Sequence, residues 1–229
     1  SKGKGGSMHM FSQKAGFYGG HGIVGASFAL GTGLAFSHKY KEDGGVCVAY
    51  CGDGSANQGQ VAECYNMAAL WDFPILYVIE NNRYGMGTST KRHAAGELYK
   101  RGEGYGIPGE QVDGQDVFAV QAAARQALDH VRNGNGPYIL EVMTYRYRGH
   151  SMSDPANYRS KEEVTKVREE QDPITNLQNR LLKQKILSKE DLKKLDKEIR
   201  DLVVAAADFA QKSPEPDPSE LYTDVLVDA

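Results

Sequence analysis

The chain has 229 residues, 40% hydrophobic and 25% charged, with a formal net charge of −3. That length can bury one substantial core and does not require two domains. The near-neutral charge gives no electrostatic footprint for nucleic acid, and no apolar run approaches the roughly 20 residues of a membrane helix, so neither partner is expected.

The segment from Ser1 to Gly25 is glycine-rich and reads as a loop, with neither an initiating Met nor a signal-peptide pattern at Ser1. A helix rich in small residues follows over Ile23 to Tyr40. Its glycines Gly25, Gly31 and Gly33 cost helix stability, which predicts close packing against another backbone. Val46 to Cys51, between Gly44-Gly45 and Gly52, reads as a buried strand. Gln60 to Leu70 has helical spacing, and Pro74 to Ile79 reads as a second strand. Arg83 to Pro108 is loop-like. Asp116 caps a predicted helix to Arg132, with Gly134 beyond its end, and Gly136-Pro137 opens a third strand over Tyr138 to Tyr145. Beyond His150 the chain turns to Lys/Glu-rich helices at 161–170, 173–184 and 189–212. Ser213 to Pro218 is an extended stop, and Leu221 to Val227 is expected to be a short tail strand. There are no internal repeats.

The chemistry concentrates at Gly52-Asp53-Gly54 and at Asn81-Asn82, with Asn82 29 residues after Asp53. That interval holds a helix and a return strand, so the two strands run parallel and both residues leave the sheet at its carboxyl edge, where open α/β sheets bind ligands. An Asp after a strand most often caps a helix. The partner Asn82 at the matching strand end points instead to a metal–diphosphate site. Magnesium takes few protein oxygens beside phosphate oxygens, so one carboxylate, one amide oxygen and a backbone carbonyl just after Asn82 suit it. Gly54 lets the backbone approach a phosphate, and the following helix offers its amino-terminal N–H groups.

Other signals are weaker. Gly20-x-Gly22-x-x-Gly25 has the form of a dinucleotide fingerprint, but Phe17-Tyr18 is no convincing strand, and Glu42 and Asp43 precede the next strand rather than follow it, so the nicotinamide reading is rejected. Arg146 and His150 follow the third strand, where charge stabilisation and proton handling beside a diphosphate would be useful; an ion-paired surface loop is the alternative. Cys47, Cys51 and Cys64 form no CxxC pair and read as buried reduced thiols, which favours a reducing compartment. His9, His21, His38, His93 and His130 have no metal spacing, and most are assigned to surface or packing roles.

The stretch GDGSANQGQVAECYNMAALWDFPILYVIENNRYGMG resembles the thiamine diphosphate signature of the 2-oxo acid dehydrogenase family. ENNRYGMGTS and TYRYRGHSMSDP are the most specific pieces, and essentially the whole chain is similar to the alpha subunits of that family's pyruvate-decarboxylating component. Those subunits carry a further amino-terminal stretch, so the chain is expected to be truncated or one piece of a longer protein.

The resemblance implies an α/β doubly wound parallel sheet of the thiamine diphosphate-binding fold with a C-terminal helical extension. The expected division is a cofactor-binding core over 1–160 and a charged extension and tail over 161–229 of the same domain. It implies oxidative decarboxylation of pyruvate with transfer of the acetyl unit to a lipoyl acyltransferase core. The cofactors implied are thiamine diphosphate and magnesium. Asp53, Asn82 and the Tyr84 carbonyl would hold the metal; Gly22, Val24, Gly54, Ser55 and His150 would lie against the cofactor, with His150 and Arg146 in the catalytic set. A beta subunit, in an α2β2 heterotetramer, would supply the glutamate that activates the cofactor, so this chain alone should be inactive. Ser151 lies in the loop that mitochondrial relatives use as a phosphorylation switch, although Pro155 to Arg159 departs from their pattern. The rival readings are the alpha subunit of a branched-chain 2-oxo acid or acetoin dehydrogenase, and a non-catalytic scaffold that retains the fold. The end SELYTDVLVDA resembles alphaproteobacterial members, which leaves a mitochondrial matrix or a bacterial cytoplasm open.

Overall fold

A computed structural model describes residues 5–225. Ile23–Leu177 form one compact unit; a second is drawn from both ends of the chain, up to Gly22 and from Gln178 onward.

The larger unit is a parallel sheet with helices on both faces. Its strands are β1 (Cys47–Gly52), β2 (Ile75–Asn81), β5 (Gly109–Asp113) and β6 (Tyr138–Met143), in the order β1-β2-β6-β5. All three pairings are parallel, with Gly52 opposite Glu80 and Asn81 opposite Met143. In β2 the first five residues are buried without alternation. That is the pattern of a strand covered on both faces, and it explains why an unbroken apolar run was strand rather than amphipathic helix.

Helices α1 (Ala26–Lys41) and α2 (Gly59–Leu70) cover one face. There Phe28, Ala35, Val61, Tyr65 and Ala68 pack on Ile75, Tyr77, Ile79 and Ile139. Helix α4 (Val117–Arg132) covers the other, with Ala123, Ala127 and Val131 against Leu76, Val78 and Leu140. Each fully buried Ile or Leu contributes about 1.5–3 kcal/mol of transfer free energy, so these two layers fix the strand ends above them. The Asp116 carboxylate caps α4, accepting from the Phe118 and Ala119 N–H groups at 2.9 and 3.3 Å. Gly31 packs closely, but on a side chain: a Cβ there would lie 2.6 Å from the Ala49 Cβ, whereas one on Gly33 meets nothing within 4 Å. Cys51 and Cys64 are buried and Cys47 is half-buried in the same layer; burial pushes the Cys51 thiol up to about 12 and Cys47 to about 11.

The stretch expected to be loop contains more structure than its composition signals. The antiparallel pair β3 (Tyr84–Gly85) and β4 (Thr88–Ser89) is followed by the short helix α3 (Thr90–His93), a 3-10 turn at Tyr99–Tyr105, and then β5. β5 is an edge strand of sequence Gly-Glu-Gln-Val-Asp, and its polar residues give no apolar run to read. The third expected strand, β6, stops at Met143 rather than Tyr145. Helix α5 (Lys161–Gln171) completes this unit, and α6 (Pro173–Lys183) starts in it.

In the second unit, Ser12 and Phe17 form an isolated antiparallel bridge, and Gly19 and Gly20 are needed because a Cβ would strike the Met10 and Met8 carbonyls. Helix α7 (Lys189–Lys212) has the predicted bounds, with a capping box between Ser188 and Asp191. The expected tail strand is corrected: Pro218–Tyr222 is a 3-10 turn with Asp217 capping it, Leu221 and Tyr222 are exposed, and 226–227 lie outside the described residues. Among the described residues no helix is long and apolar enough to cross a membrane.

Candidate functional site

Parallel pairing brings the ends of β1, β2 and β6 to one edge, and the polar residues that follow each strand meet there. Asp53, just past β1, is only 1% exposed. It caps no helix, since α2 begins after Gln58. Its Oδ2 accepts from the Thr90 hydroxyl at 3.2 Å and pairs with His93 Nε2 at 3.0 Å; among the described residues Oδ1 takes no hydrogen bond.

At the end of β2 the two asparagines divide the work. Asn81 points inward, donating to Glu141 Oε1 at 2.7 Å and accepting from the Arg83 N–H at 3.0 Å. Glu141, 1% exposed, also accepts from the Tyr99 N–H and from Gln111, both at 3.2 Å, so its buried charge is met by three donors. Asn82 is half-buried, and its Oδ1 is only loosely engaged by the Tyr84 N–H and Arg146 Nη1, both at 3.4 Å. Arg83 between them has φ +74 and Met86 φ +52, two non-glycine residues in the left-handed region within one tight loop.

Arg146, from beyond β6, ties this loop down. Its Nη1 donates to the Tyr84 carbonyl at 2.9 Å, and its Nη2 to the Met86 carbonyl at 2.6 Å and the Tyr158 hydroxyl at 2.8 Å. Tyr158 in turn donates to Asp154 Oδ2 at 2.8 Å, and that oxygen accepts the His150 N–H at 2.7 Å. These bonds, first those from the His150 and Ala156 N–H groups, hold the Asp154 carboxyl down at about 2. Arg159 closes the loop by donating to the Arg146 and Arg148 carbonyls while lying over the rings of Tyr84, Tyr145 and Tyr158. Glu163 Oε1 accepts from both the Tyr84 and Tyr145 hydroxyls, at 2.9 and 2.8 Å; burial and this carboxylate raise the Tyr145 phenol to about 12.

The structure thus gathers Asp53, Asn82, Tyr84 and Arg146 at one sheet edge, with His150 connected to them through Asp154 and Tyr158. The His150 side chain is exposed, and Ser151 is exposed with its Oγ 3.1 Å from Ser153 Oγ. Gly54 faces the Gly85 backbone, where a Cβ would come within 3.2 Å of the Gly85 Cα. Ser55 opens a 3-10 turn whose amino end has no side-chain cap. The Val24 carbonyl accepts from Gln60 Nε2 at 2.8 Å. Gly22 belongs to the second unit, where a Cβ would face the His9 ring at 3.5 Å. A cavity of about 740 Å³ opens beside the site, lined in part by Asn81, Arg83, Tyr84, Thr90, Glu141 and Glu163.

Several residues escaped the sequence reading. His93, expected at the surface or in packing, lies against Asp53 instead, and Thr90, Asn57, Arg101, Asp154, Tyr158, Arg159 and Glu163 belong to the same constellation. Of these, only Asp154, in Ser153-Asp154-Pro155, has a local turn signal in the sequence.

Known proteins resemble the chain along nearly its whole length. The model of the dehydrogenase E1 component family matches residues 1–219. The chain is 61% identical over 228 residues to a Rhizobium meliloti protein named pyruvate dehydrogenase E1 component subunit alpha, covering 99% of this chain and 66% of that protein. The protein of the same name from Zymomonas mobilis is 59% identical over 228 residues (99% and 64% covered). A mitochondrial one from Dictyostelium discoideum is 52% identical over 229 residues (99% and 60% covered). The chain spans about two thirds of the length of the first of these relatives, at 66% and 64%. With a parallel α/β sheet and a family match over nearly all its residues, the chain belongs to the dehydrogenase E1 component family.

Proposed function

We propose that this chain is the alpha subunit of a thiamine diphosphate-dependent enzyme component that oxidatively decarboxylates pyruvate and passes the acetyl unit to lipoyl groups. The observation that carries the reading is that Asp53, buried just past β1, stands at the same carboxyl edge of the sheet as Asn82 Oδ1 and the Tyr84 carbonyl, which meet on one nitrogen of Arg146 beyond β2. The names of the relatives point the same way.

The residues fit magnesium bound to a diphosphate. The donor set is all oxygen, as a hard cation prefers. Among the described residues, the buried Asp53 carboxylate faces no Lys or Arg in a salt bridge and keeps Oδ1 uncommitted. Asn82 Oδ1 and the Tyr84 carbonyl already converge on one cationic nitrogen of Arg146, and a carbonyl oxygen has a second lone pair for a metal. Thiamine diphosphate, when bound, supplies the electron sink for loss of carbon dioxide from a 2-oxo acid. The chain's own residues do the rest. Asp53, Asn82 and Tyr84 hold the metal, while Gly54, Ser55 and Val24 present backbone to the cofactor. Arg146 fixes the metal loop and the following loop in one geometry. His150, on that second loop, is the proton-handling residue beside the substrate, and Ser151 next to it is the candidate phosphorylation position.

The partner is a beta subunit, in an α2β2 heterotetramer that delivers to a lipoyl acyltransferase core. The outer faces of α1 and α2 support a subunit partner: Phe36, Tyr40, Met67 and Trp71 line an exposed groove of about 800 Å³. The relatives are bacterial and, for Dictyostelium, mitochondrial, so the compartment is a mitochondrial matrix or a bacterial cytoplasm; buried thiols suit both. The test is turnover of 2-oxo acids with an artificial electron acceptor. Pyruvate should be decarboxylated in preference to branched-chain 2-oxo acids, and only when the beta subunit is present. Preference for a branched substrate would move the chain to the branched-chain enzymes, and no turnover with the partner present would favour a scaffold.

A further inference from the structure

We infer that His93 is a positioning residue for the metal-binding carboxylate, with its two ring nitrogens assigned by a relay from Arg101 through Asn57. The proposal rests on Asp53 being a metal ligand.

The relay is fixed one proton at a time. Arg101 is always a donor, and its Nη2 lies 2.7 Å from Asn57 Oδ1, while Nη1 donates to the Ala56 carbonyl at 2.8 Å. Asn57 therefore has its oxygen towards Arg101 and its NH2 group on the other side. That amide nitrogen lies 2.9 Å from His93 Nδ1, and 3.4 Å from the carbonyls of Asp53 and Gly54. An NH2 group only donates, so His93 Nδ1 accepts and carries no proton. The ring proton then resides on Nε2, which donates to Asp53 Oδ2 at 3.0 Å.

This donor differs from the other one on the same oxygen. Thr90 has a single hydroxyl proton and sits 3.2 Å from both Asp53 Oδ2 and Asn81 Oδ1, so it serves one of them at a time. His93 is thus the donor dedicated to Asp53. Holding Oδ2 fixes the carboxylate plane and leaves Oδ1 as a single metal-facing oxygen. His93 is well placed for that, with a side chain 15% exposed on the last residue of the short helix that follows the metal loop. Outer partners that orient a ligand are commonly worth ten- to a hundredfold in metal affinity.

The experiment uses the full chain co-produced with its beta subunit, and Mn²⁺ as a paramagnetic probe in the presence of thiamine diphosphate. Electron paramagnetic resonance reads bound Mn²⁺ for wild type, His93→Leu, His93→Gln and Asp53→Asn, with thermal midpoints measured alongside. His93→Leu should weaken Mn²⁺ binding by about tenfold or more at an unchanged midpoint, and His93→Gln, which keeps a donor, should recover most of the affinity. Asp53→Asn should abolish binding. In the same complex without metal, nitrogen NMR of labelled histidine should show His93 with a bare Nδ1 and a protonated Nε2. Loss of binding in Asp53→Asn with unchanged affinity in both His93 variants overturns the His93 proposal alone. Retained binding in Asp53→Asn overturns the metal reading beneath it. An Nδ1-protonated His93 in the wild type overturns the relay whatever the metal does.

Discussion

Replacing Arg146 with methionine keeps an unbranched side chain and removes every hydrogen bond the guanidinium donates. Three of those bonds are short, to the Tyr84 carbonyl at 2.9 Å, the Met86 carbonyl at 2.6 Å and the Tyr158 hydroxyl at 2.8 Å. Bonds from a charged donor are worth about 1.5–3 kcal/mol each, but Arg146 is half-buried, water replaces part of the loss, and the three are not additive. A loss of about 3 kcal/mol in local stability is the reasoned figure, which corresponds to roughly a hundredfold in an opening equilibrium. The effect should be confined to the two loops the guanidinium joins. Amide hydrogen exchange read by mass spectrometry should therefore quicken by up to about a hundredfold in 84–89 and in 147–158. Exchange in β2, below the loops, should stay unchanged. Arg146→Lys, with one point charge in place of a fork, should fall between the two. Unaltered exchange in 84–89 would refute the reasoning, because it would mean the loop after β2 holds its shape without Arg146.

Asp154 gives a pH signature. Its folded carboxyl sits at about 2 against an ordinary 3.8, so its contribution is complete above about pH 4 and is lost as pH falls through about 2. The His150 amide proton should lose protection in that window, and Asp154→Asn should lack the transition. Gly31→Val forces methyl groups toward a position where even a Cβ is 2.6 Å from the Ala49 Cβ, so overpacking should cost about 2 kcal/mol and lower the thermal midpoint by roughly 4–8 °C. Phe28→Ala empties a fully buried site between Tyr65 and Tyr77, whose ring centroids lie 6.3 and 4.8 Å away; denaturant titration should show a loss of about 3–5 kcal/mol.

What the sequence reveals is governed by how local the cause is. β1, β2 and α2 are visible because apolar runs and helical spacing are bounded by glycine and proline. α7 is visible to the residue because Ser188 caps one end and Ser213-Pro214 stops the other. The same logic exposes Asp53 and Asn82, which stand where a glycine turn and an apolar run end. β5 is hidden because an edge strand can be polar, and the expected tail strand fails because Asp217-Pro218 starts a 3-10 turn that local apolar residues do not override. The supporting shell is the least legible. His93 reaches Asp53 across 40 positions, and Arg101 reaches Asn57 across 44, so no period or spacing marks either contact. Such residues become visible only when the strands have fixed which loops are neighbours.

The most direct test of the account is calorimetric binding of thiamine diphosphate with magnesium to the chain, with and without a co-produced beta subunit, each repeated with Asp53→Ala. Tight binding with the beta subunit, lost in Asp53→Ala, is the predicted result. Equal binding by wild type and Asp53→Ala would contradict it, because the buried carboxylate at the end of β1 would then have no part in holding the cofactor.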